Sequence, residues 1–386
     1  MVDFIHLHVH SQYSILDGAC RIPDLIEKAV KDGMKGSAIT DHGNLFAAKI
    51  FLEEAGKVDG FKPVIGCETY VARRTRFEKN DKVDAKGDHL ILLAKNLKGY
   101  NNLMKLISKA WIEGFYYKPR IDKELLFQYS EGLIVSTACL AGEIARAILS
   151  GNLDKAENSI HEFRDHFGED FYLELMRHQA TDKTRDAEVF QRQSIVNNAL
   201  IGFSEKTGIK LLATNDVHFL NEGDAEAHYR LLCLNTGKDL TDPTRLRYTG
   251  QEWFKTRIEM QELFRDIPEA LENTMEVFEK VESYDLNRDP VMPDFSLPSG
   301  FDDPDEYLRH ITYEGAGKRY PEITETLRER IDFELATIKF MGYPGYFLIV
   351  QDLLNAARDM GVSVGPGLKV LTRMPRGASS WLQLRA

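Results

Sequence analysis

Short apolar segments alternate with amphipathic helical segments along the first two thirds of the chain, and this alternation restricts the folds open to it. Helical segments such as IPDLIEKAVKDGM, with Pro23 near its first turn and Gly33 near its end, stand between the apolar segments. Repeated strand and helix units predict an α/β fold with a mainly parallel sheet, either open or closed as a barrel. The apolar segments are KGSAITDHG, FKPVIGCETYVA, DHLILLAKN, GLIVSTACLAGE and GIKLLATNDVHF.

Polar side chains with metal-binding or catalytic chemistry stand at the ends of these predicted strands. In both arrangements of the sheet, functional residues gather just after the carboxyl ends of the strands. The side chains found there are Asp41, His42, Glu68, His89, Cys139, Asp216 and His218.

The amino-terminal segment FIHLHVHSQYSILDG adds three alternate histidines, His6, His8 and His10, and the carboxylate of Asp17. Alternate side chains of a β-strand share one face, so these imidazoles are predicted to project together. For any single histidine, the simpler interpretation is a half-buried strand whose imidazole bonds to the backbone. HxH, DHG and NDxH motifs at successive strand ends are harder to assign to core packing, and they favour a metal site.

The predicted donors are imidazoles, carboxylates and one thiol. Zn, Mn and Fe suit such a mixed set, whereas Mg or Ca alone favours oxygen ligands.

Composition and charge limit the classes of protein to which the chain can belong. With 386 residues, 43% hydrophobic and 28% charged, it has the make-up of a globular protein of more than one domain. The net charge of −11 argues against binding nucleic acid through an overall positive field, so any DNA must be bound locally. The four widely spaced cysteines form no CxxC pair, which argues against a disulfide framework or a zinc ribbon. Without a long apolar run or a signal sequence, we expect a cytoplasmic protein with no membrane contact.

The texture of the sequence changes near residue 285. NRDPVMPDFSLPSGFDDPDEYL is rich in proline and acids without an apolar period, which predicts a linker, and the helical segments EITETLRERIDFELATIKFMG and YPGYFLIVQDLLNAARDMG follow it. The last 19 residues contain no acid and do not continue this pattern. We therefore expect a first domain over residues 1–285, a second segment over 286–367 and an unrelated tail over 368–386.

Taken in order, the motifs resemble those of the PHP (polymerase and histidinol phosphatase) family. The matching motifs are HLHVHS, SILDG, TDHGNLF, GCETYV, HLILLA, the cysteine before LAGE, and ATNDVHF. GYNNLMKLISKAWIEGFYYKPRID and MGYPGYFLIVQDLLNAARDMGVSVGPG resemble the bacterial replicative DNA polymerase III α-subunit family. The resemblance covers roughly residues 3–367 and implies a distorted (β/α)7 barrel followed by an incomplete polymerase palm segment.

The resemblance also implies a set of metal ligands at the strand ends. Family members with a complete set bind two or three divalent ions and resemble 3′ to 5′ exonucleases, whereas members that have lost ligands keep the domain as a structural platform. The metals also stabilise the fold by joining distant strand ends, so a purely structural role stays open. Asp216, His218, His42 and Glu68 are the expected catalytic residues of the metal site. The ligands implied are His8, His10, Asp17, His42, Glu68, His89, Cys139, Asp216 and His218.

Other histidines and Asp41 receive lesser roles. His6 is expected to be a structural histidine or to support a ligand, and Asp41 to orient a neighbouring ligand. The remaining histidines lie outside the motifs and are assigned no chemistry: His161, His166, His178, His228 and His310.

The polymerase resemblance stops at Gly367. The family continues GPG with an Arg-Gly-Ser sequence, whereas Leu368, Lys369 and Val370 follow here, so we interpret the tail as a frameshifted or artificial end. The palm aspartates of the family find no counterpart in this chain, and two-metal nucleotidyl transfer, with Mg in the parent polymerase, needs them. We expect no DNA polymerisation by this chain, although its parent is expected to be a DNA-directed DNA polymerase.

The resemblance implies partners as well: the primer 3′ end of DNA and, through the parent protein, a sliding clamp and a proofreading subunit. Two alternatives stay open. One is a free-standing PHP phosphatase acting on a small phosphomonoester, against which the palm-like segment argues. The other is a docking module without activity, against which the complete ligand set argues.

Overall fold

The chain divides into two units, Met1–Leu286 and Asn287–Ala386. The structure is a computed structural model that describes residues 3–180, 188–287, 291 and 293–362. The GPG motif at 365–367 and the tail at 368–386 therefore lie outside the described residues. Among the helices of the described residues, none is long and apolar enough to cross a membrane.

A curled, mainly parallel sheet forms the centre of the first unit, as predicted. Within the described residues its strand order is β1-β2-β3-β5-β6-β7, and β4 pairs with β2. Four strand pairs are parallel, but β3 runs antiparallel to both β2 and β5. The strands are β1 (Gly36–Ile39), β2 (Lys62–Val71), β3 (Asp88–Ala94), β4 (Arg120–Ile121), β5 (Leu133–Ser136), β6 (Phe171–Met176) and β7 (Leu211–Thr214).

The amino-terminal histidine segment links the two ends of this sheet. On one side the Thr40 amide donates to the Val9 carbonyl, with 2.7 Å between N and O. On the other side the His10 amide donates to the Val217 carbonyl over 2.7 Å. The segment forms two isolated bridges, Val9 with Val217 and Ser11 with Cys20, rather than the regular strand expected from its alternation. It nevertheless curls the sheet towards a barrel, because it lies between β1 and the end of β7.

Helices cover the outer face of the sheet of the first unit. The first helix begins with Pro23 in its first turn and is followed by Gly33 at φ 77°, as the sequence predicted. Phe51, Phe163 and Phe171 are among the largest fully buried side chains of the core. The helices are α1 (Ile22–Lys31), α2 (Ala48–Ala55), α3 (Asp81–Asp84), α4 (Leu97–Ile112), α5 (Lys123–Gln128), α6 (Glu143–Leu149), α7 (Leu153–Phe167), α8 (Glu188–Thr207), α9 (Ala225–Thr236), α10 (Arg257–Leu263) and α11 (Pro268–Lys280).

The described part of the second unit contains three helices, α12 (Pro304–Arg319), α13 (Glu325–Phe340) and α14 (Pro344–Asp359). The Tyr313 hydroxyl donates to Asp332 over 2.6 Å and so joins α12 to α13. The predicted linker was too long at its carboxyl end, because DPDEYL begins α12. The Asp303 carboxylate caps this helix and Pro304 occupies its first turn, a combination that starts helices.

We predict that Phe163→Ala lowers the free energy of unfolding by about 3–5 kcal/mol, because it leaves a cavity in the core. The Phe163 ring is 1% exposed and stacks on Phe171 with 5.4 Å between ring centroids. Urea denaturation followed by circular dichroism measures the change. The exposed control Ile195→Ala should change the same quantity by less than about 0.5 kcal/mol, and equal losses in both variants would contradict this packing.

Candidate metal centre

Strand direction brings the polar side chains to one rim of the sheet. His42 and Asp216 follow the carboxyl ends of the parallel strands β1 and β7, and Cys139 follows that of β5. Because β3 runs antiparallel to β2, its first residues lie at this same rim, and His89 on β3 pairs with Tyr70 near the end of β2. The rim therefore collects donors from strand starts as well as from strand ends.

One part of the rim places two imidazoles beside a shared carboxylate. The Oδ1 atom of Asp216 lies 3.1 Å from His8 Nε2 and 3.3 Å from His10 Nε2. The two Nε2 atoms are 3.2 Å apart. Glu68 faces the same pair, with 3.6 Å to His8 Nε2 and 3.5 Å to His10 Nε2. His8, His10 and Glu68 thus offer ligand atoms close enough to share one ion.

Glu68 also connects this pair to a second group of donors. Its Oε2 lies 2.6 Å from His42 Nδ1 and its Oε1 lies 2.7 Å from His89 Nδ1. The Cys139 sulfur is 3.6 Å from His89 Nδ1 and 3.8 Å from Glu68 Oε1. On the opposite side, His42 Nε2 lies 3.4 Å from Asp17 Oδ1. Glu68 is therefore the carboxylate that bridges the two groups.

Four buried polar atoms of the rim have no hydrogen-bond partner within the part of the chain that the structure describes. They include His42 Nδ1 and Glu68 Oε2, which face each other at 2.6 Å without hydrogen-bond geometry. Buried polar atoms are nearly always satisfied, and an ion is one of the partners that explain an exception. Imidazole, carboxylate and thiol donors at this spacing fit Zn, Mn or Fe. The four atoms are Asp17 Oδ1, His42 Nδ1, Glu68 Oε2 and Asp216 Oδ1.

A buried carboxylate on β6 fixes the orientation of His8. His8 Nδ1 donates to Glu174 Oε1 over 2.6 Å, because an ionised carboxylate can only accept. Glu174 also accepts from the hydroxyls of Thr214 and Ser136, each over 2.6 Å, and from the Ala138 amide over 3.1 Å. With Nδ1 protonated, the lone pair of a neutral His8 lies on Nε2, which points into the rim.

Ser14 and Asp41 orient His10 in the same manner. The single Ser14 hydroxyl proton goes to Asp41 Oδ1 over 2.8 Å, so the hydroxyl oxygen accepts from the His42 amide over 3.1 Å. His10 Nδ1, 3.0 Å from that oxygen, is then a donor, and its Nε2 lone pair is free for an ion. Asp41 itself accepts from Ser11 and Ser14, as an orienting carboxylate does.

Side chains from beyond β7 complete the rim. His218 Nδ1 donates to the Asp216 carbonyl over 2.8 Å, which leaves its Nε2 facing the Tyr248 hydroxyl at 3.1 Å. Tyr248 also lies 3.1 Å from Asp17 Oδ2. His228 Nε2 donates to the Asp17 carbonyl over 2.7 Å, so this histidine positions Asp17 although the sequence assigned it no chemistry.

Burial and opposite charges shift the pKa values of the rim. Burial would raise the pKa of Glu68, but His89 and His42 hold it well below its usual range. Burial would lower the pKa of His8, but the carboxylates of Asp216 and Glu174 raise it to about 9. Burial and Glu68 raise the pKa of the Cys139 thiol. Because metal ligands must lose their protons, ion binding is expected to release protons and to weaken as the pH falls.

The backbone is strained where the rim is formed. Asp216 has φ 43° and Ala138, next to Cys139, has φ 57°, both in the left-handed region that residues other than glycine seldom adopt. Such strain persists when surrounding contacts hold it, and it concentrates at functional sites. Here the Ala138 amide donates to Glu174, which holds the strained turn against β6.

The structure brings all nine predicted ligands together on this rim. His6 lies apart, because the segment is not a regular strand: its Nε2 donates to the Lys255 carbonyl over 2.8 Å and its ring lies 4.3 Å from that of Phe254. No role was predicted for Glu174, Tyr248 or Ser14, although Ser14 begins the SILDG motif. A signal for Glu174 was present, because it is the one charged residue in the apolar strand FYLELM. Tyr248 had no such signal, because it lies in a segment without a strand or helix pattern.

Comparison with known families and proteins agrees with the motifs. The PHP domain family profile matches residues 6–178, and that of the bacterial DNA polymerase III alpha NTPase domain matches residues 306–368. DNA polymerase III subunit alpha of Borreliella burgdorferi is 47% identical over 94% of this chain and 31% of its own length. That of Treponema pallidum is 39% identical over 95% of this chain and 31% of its own. That of Aquifex aeolicus is 39% identical over 95% of this chain and 32% of its own length.

The chain thus spans about a third of the length of these relatives. Among solved structures, a candidate metal-dependent phosphoesterase of Bifidobacterium adolescentis has a TM-score of 0.35 and 14% identity, over 62% of this chain and 98% of its own. That likeness is too weak to support a conclusion. The resemblance inferred from the sequence motifs is confirmed, since residues 6–178 match the PHP domain family and nearly the whole chain is similar to part of these α subunits.

We predict that the purified chain retains two or three divalent ions, detectable by elemental analysis, and that chelation lowers its melting temperature. Bound ions would give the four unsatisfied atoms partners. Because these atoms lie on segments far apart in the sequence, the ions would also join those segments and stabilise the fold. Protein that contains no metal, and whose melting temperature is the same with and without added Zn or Mn, would remove the basis of the site.

We predict that Glu174→Gln weakens metal binding about 10–100-fold, although Glu174 itself faces away from the ions. Four groups donate hydrogen bonds to this carboxylate: His8 Nδ1, the hydroxyls of Ser136 and Thr214, and the Ala138 amide. The NH2 group of glutamine would face one or more of these donors without accepting from them, so the hydrogen bond that orients His8 would be lost. Competition with a chromogenic chelator measures the affinity. Glu205→Gln, the same change on an exposed side chain, is the control, and equal affinities in the two variants would refute the role of Glu174.

Proposed function

We propose, on the premise of this relationship to DNA polymerase III alpha subunits, that the chain is the amino-terminal part of a bacterial replicative polymerase. Its PHP unit would then be a metal-dependent phosphodiesterase that removes nucleotides from the 3′ end of DNA. The observation that carries the proposal is a group of four buried atoms on one rim of the sheet. Each could bind a metal ion, and none has a hydrogen-bond partner among the described residues. These atoms lie within ion-pair distance of one another but without hydrogen-bond geometry, and in a rim built only to support the fold such buried atoms would be hydrogen-bonded.

The nine donors divide into an inner and an outer group around Glu68. We assign His8, His10 and Asp216 to one ion, with Glu68 bridging to the outer donors. The outer group consists of His42, His89, Cys139, Asp17 and His218. His10, His42 and His218 also offer ligand atoms close enough to share an ion. Two or three divalent ions, Zn, Mn or Fe, fit this number of donors.

When bound, such ions hold a phosphodiester, acidify a water molecule and neutralise charge on the leaving oxygen. The chain's own residues prepare that chemistry. Glu174 and Ser14 keep the Nε2 atoms of His8 and His10 turned inward. Asp216, His218, His42 and Glu68 line the rim where the phosphate would lie, and we assign them the catalytic positions. Tyr248 and His228 hold Asp17 in place from the outer side.

We assign residues 1–285 to the PHP domain, 286–367 to the linker and start of the palm, and 368–386 to a tail unlike the family. The observed division at Leu286 agrees with the first boundary. Nucleotidyl transfer with Mg would belong to the longer parent polymerase, in the cytoplasm. Through that parent we propose contacts with primer DNA, a sliding clamp and a proofreading subunit.

Two other functions use the same rim. A free-standing PHP phosphatase on a small phosphomonoester is disfavoured by the match of residues 306–368 to a polymerase domain. A docking module without activity would hold ions at the inward Nε2 atoms only to support the fold. Assays on a 3′-mismatched oligonucleotide and on p-nitrophenyl phosphate separate the three functions.

We predict that the chain supplied with Mn or Zn trims a mismatched 3′ end, and that Asp216→Asn reduces the trimming rate to about one hundredth or less. Asparagine keeps the shape of the side chain but removes the charge that faces both His8 and His10. Gel electrophoresis of a 5′-labelled primer measures the rate. Asp59→Asn, an exposed change of the same kind, should trim like the wild type. Equal trimming by wild type and Asp216→Asn would reveal a contaminating nuclease and contradict the proposal.

A further inference from the structure

Two aromatic side chains at the end of α4 are exposed next to the metal centre. Trp111 is 46% exposed and Phe115 is 44% exposed. Their rings are stacked, with 5.4 Å between centroids and 16° between planes. We call this pair the aromatic platform. Exposed aromatic surface of this kind is costly to leave in water and commonly marks a binding site.

The aromatic platform is fixed to the rim by direct contacts. Trp111 Nε1 donates to the carbonyl of Gly43 over 2.9 Å, and Gly43 follows His42. Gly43 has no room for a side chain, because a Cβ there would lie 2.7 Å from Pro119. Trp111 and Pro119, at the two ends of the segment 111–119, therefore both pack against Gly43, the residue that follows the predicted ligand His42.

A second contact joins the same segment to two ligand rings. Lys118 Nζ lies 5.3 Å above the ring centroid of Tyr70. The Tyr70 ring is 5.1 Å from that of His89 and 6.0 Å from that of His42. The aromatic platform and Lys118 therefore each contact a residue beside the metal centre, namely Gly43, which follows His42, and Tyr70, whose ring neighbours those of His42 and His89.

The charges around the aromatic platform suit an anion. Lys118 contributes a positive charge, and the nearby carboxylate of Glu113 is neutralised by Arg76 Nε at 2.7 Å and Lys109 Nζ at 2.6 Å. The chain as a whole has a net charge of −11, so a phosphate backbone has to be bound at a local site of this kind.

Backbone strain marks the same segment. Among the described residues, positive φ at residues other than glycine occurs at Tyr117 (58°), Ala138 (57°) and Asp216 (43°). Ala138 and Asp216 belong to the metal centre, and Tyr117 lies between the aromatic platform and Lys118. Its side chain is 66% exposed, and the positive φ belongs to a tight turn closed by the Tyr116 amide, which donates to the Lys118 carbonyl over 3.0 Å.

We infer that the aromatic platform stacks an unpaired base of single-stranded DNA and directs the terminal phosphodiester to the metal centre. The inference rests on the proposed function, whose substrate it specifies as a single-stranded 3′ end. Aromatic side chains bind any base through its ring face, and removal of one stacking partner costs about tenfold or more in affinity. A paired base is held in line with the duplex, and only the outer face of a terminal pair is free. The base of a frayed or mismatched end can turn towards the platform, so such an end binds in preference to a blunt duplex.

Tryptophan fluorescence tests the stacking without catalysis. Metal-loaded protein is titrated with oligothymidylate that carries hydrolysis-resistant phosphorothioate linkages. We expect saturable quenching of the tryptophan fluorescence as DNA binds. The quenching should disappear in Trp111→Phe, because this variant keeps a ring at the site but loses the one of the three tryptophans that reports on it. Phe115→Ala should weaken the affinity about tenfold and Phe115→Tyr should restore it. Ile112→Ala, an exposed neighbour without a ring, is the control and should bind like the wild type.

Hydrolysis separates this inference from the proposed function. Phe115→Ala should raise KM for a single-stranded oligonucleotide about tenfold and leave the hydrolysis of bis(p-nitrophenyl) phosphate unchanged. A protein that hydrolyses neither substrate refutes the proposed function, and the fluorescence titration still decides the stacking. Absence of quenching, or equal affinities of Phe115→Ala and Ile112→Ala for the oligonucleotide, overturns the inference. The aromatic platform would then be a candidate contact for a protein partner instead.

Discussion

The structure depends on the charge balance of one polar rim that is largely withdrawn from water. A buried carboxylate or imidazolium without a partner costs several kcal/mol, so the segments that carry these groups are stable only when they meet. Glu68 illustrates the constraint, because its two oxygens face four imidazoles contributed by three parts of the chain. The ionisable side chains that meet there are Asp17, Glu68, Glu174, Asp216, His8, His10, His42, His89 and His218.

The same hydrogen-bond arrangement at three imidazoles leaves one ring nitrogen of each available to a metal ion. His8, His10 and His218 each donate through Nδ1 to an acceptor of the protein, namely a carboxylate, a hydroxyl and a backbone carbonyl. In the neutral form, each ring therefore has its lone pair on Nε2. Orientation by an outer partner is what metal-bound imidazoles need, and here the partners sit on β6, in the turn after His10, and in the strained turn after β7. The curled sheet is what brings these three positions together.

Local sequence patterns were enough to predict β1, β2, β3, β5 and β7 and the polar residues at the strand ends, but not β4 or β6. The alternation of KGSAITDHG-type segments with helices signals the sheet, and the TDHG and TNDVH motifs signal its rim. Features set by distant contacts could not be predicted. The histidine segment links β1 to the end of β7 through bonds to Thr40 and Val217, and His6 bonds to the Lys255 carbonyl rather than joining His8 and His10. Tyr248 reaches the rim from a loop more than 200 residues from Asp17 in sequence.

Anomalous X-ray scattering from crystals of the Mn-loaded protein tests the central claim most directly. If the rim is a metal centre, peaks will appear at coordination distance, about 2.0–2.3 Å, from the Nε2 atoms of His8 and His10 and from Asp216. Glu68 will lie between two of the peaks. A map with no peak at this rim, or with the histidines and carboxylates paired to one another at full Mn loading, would contradict the account.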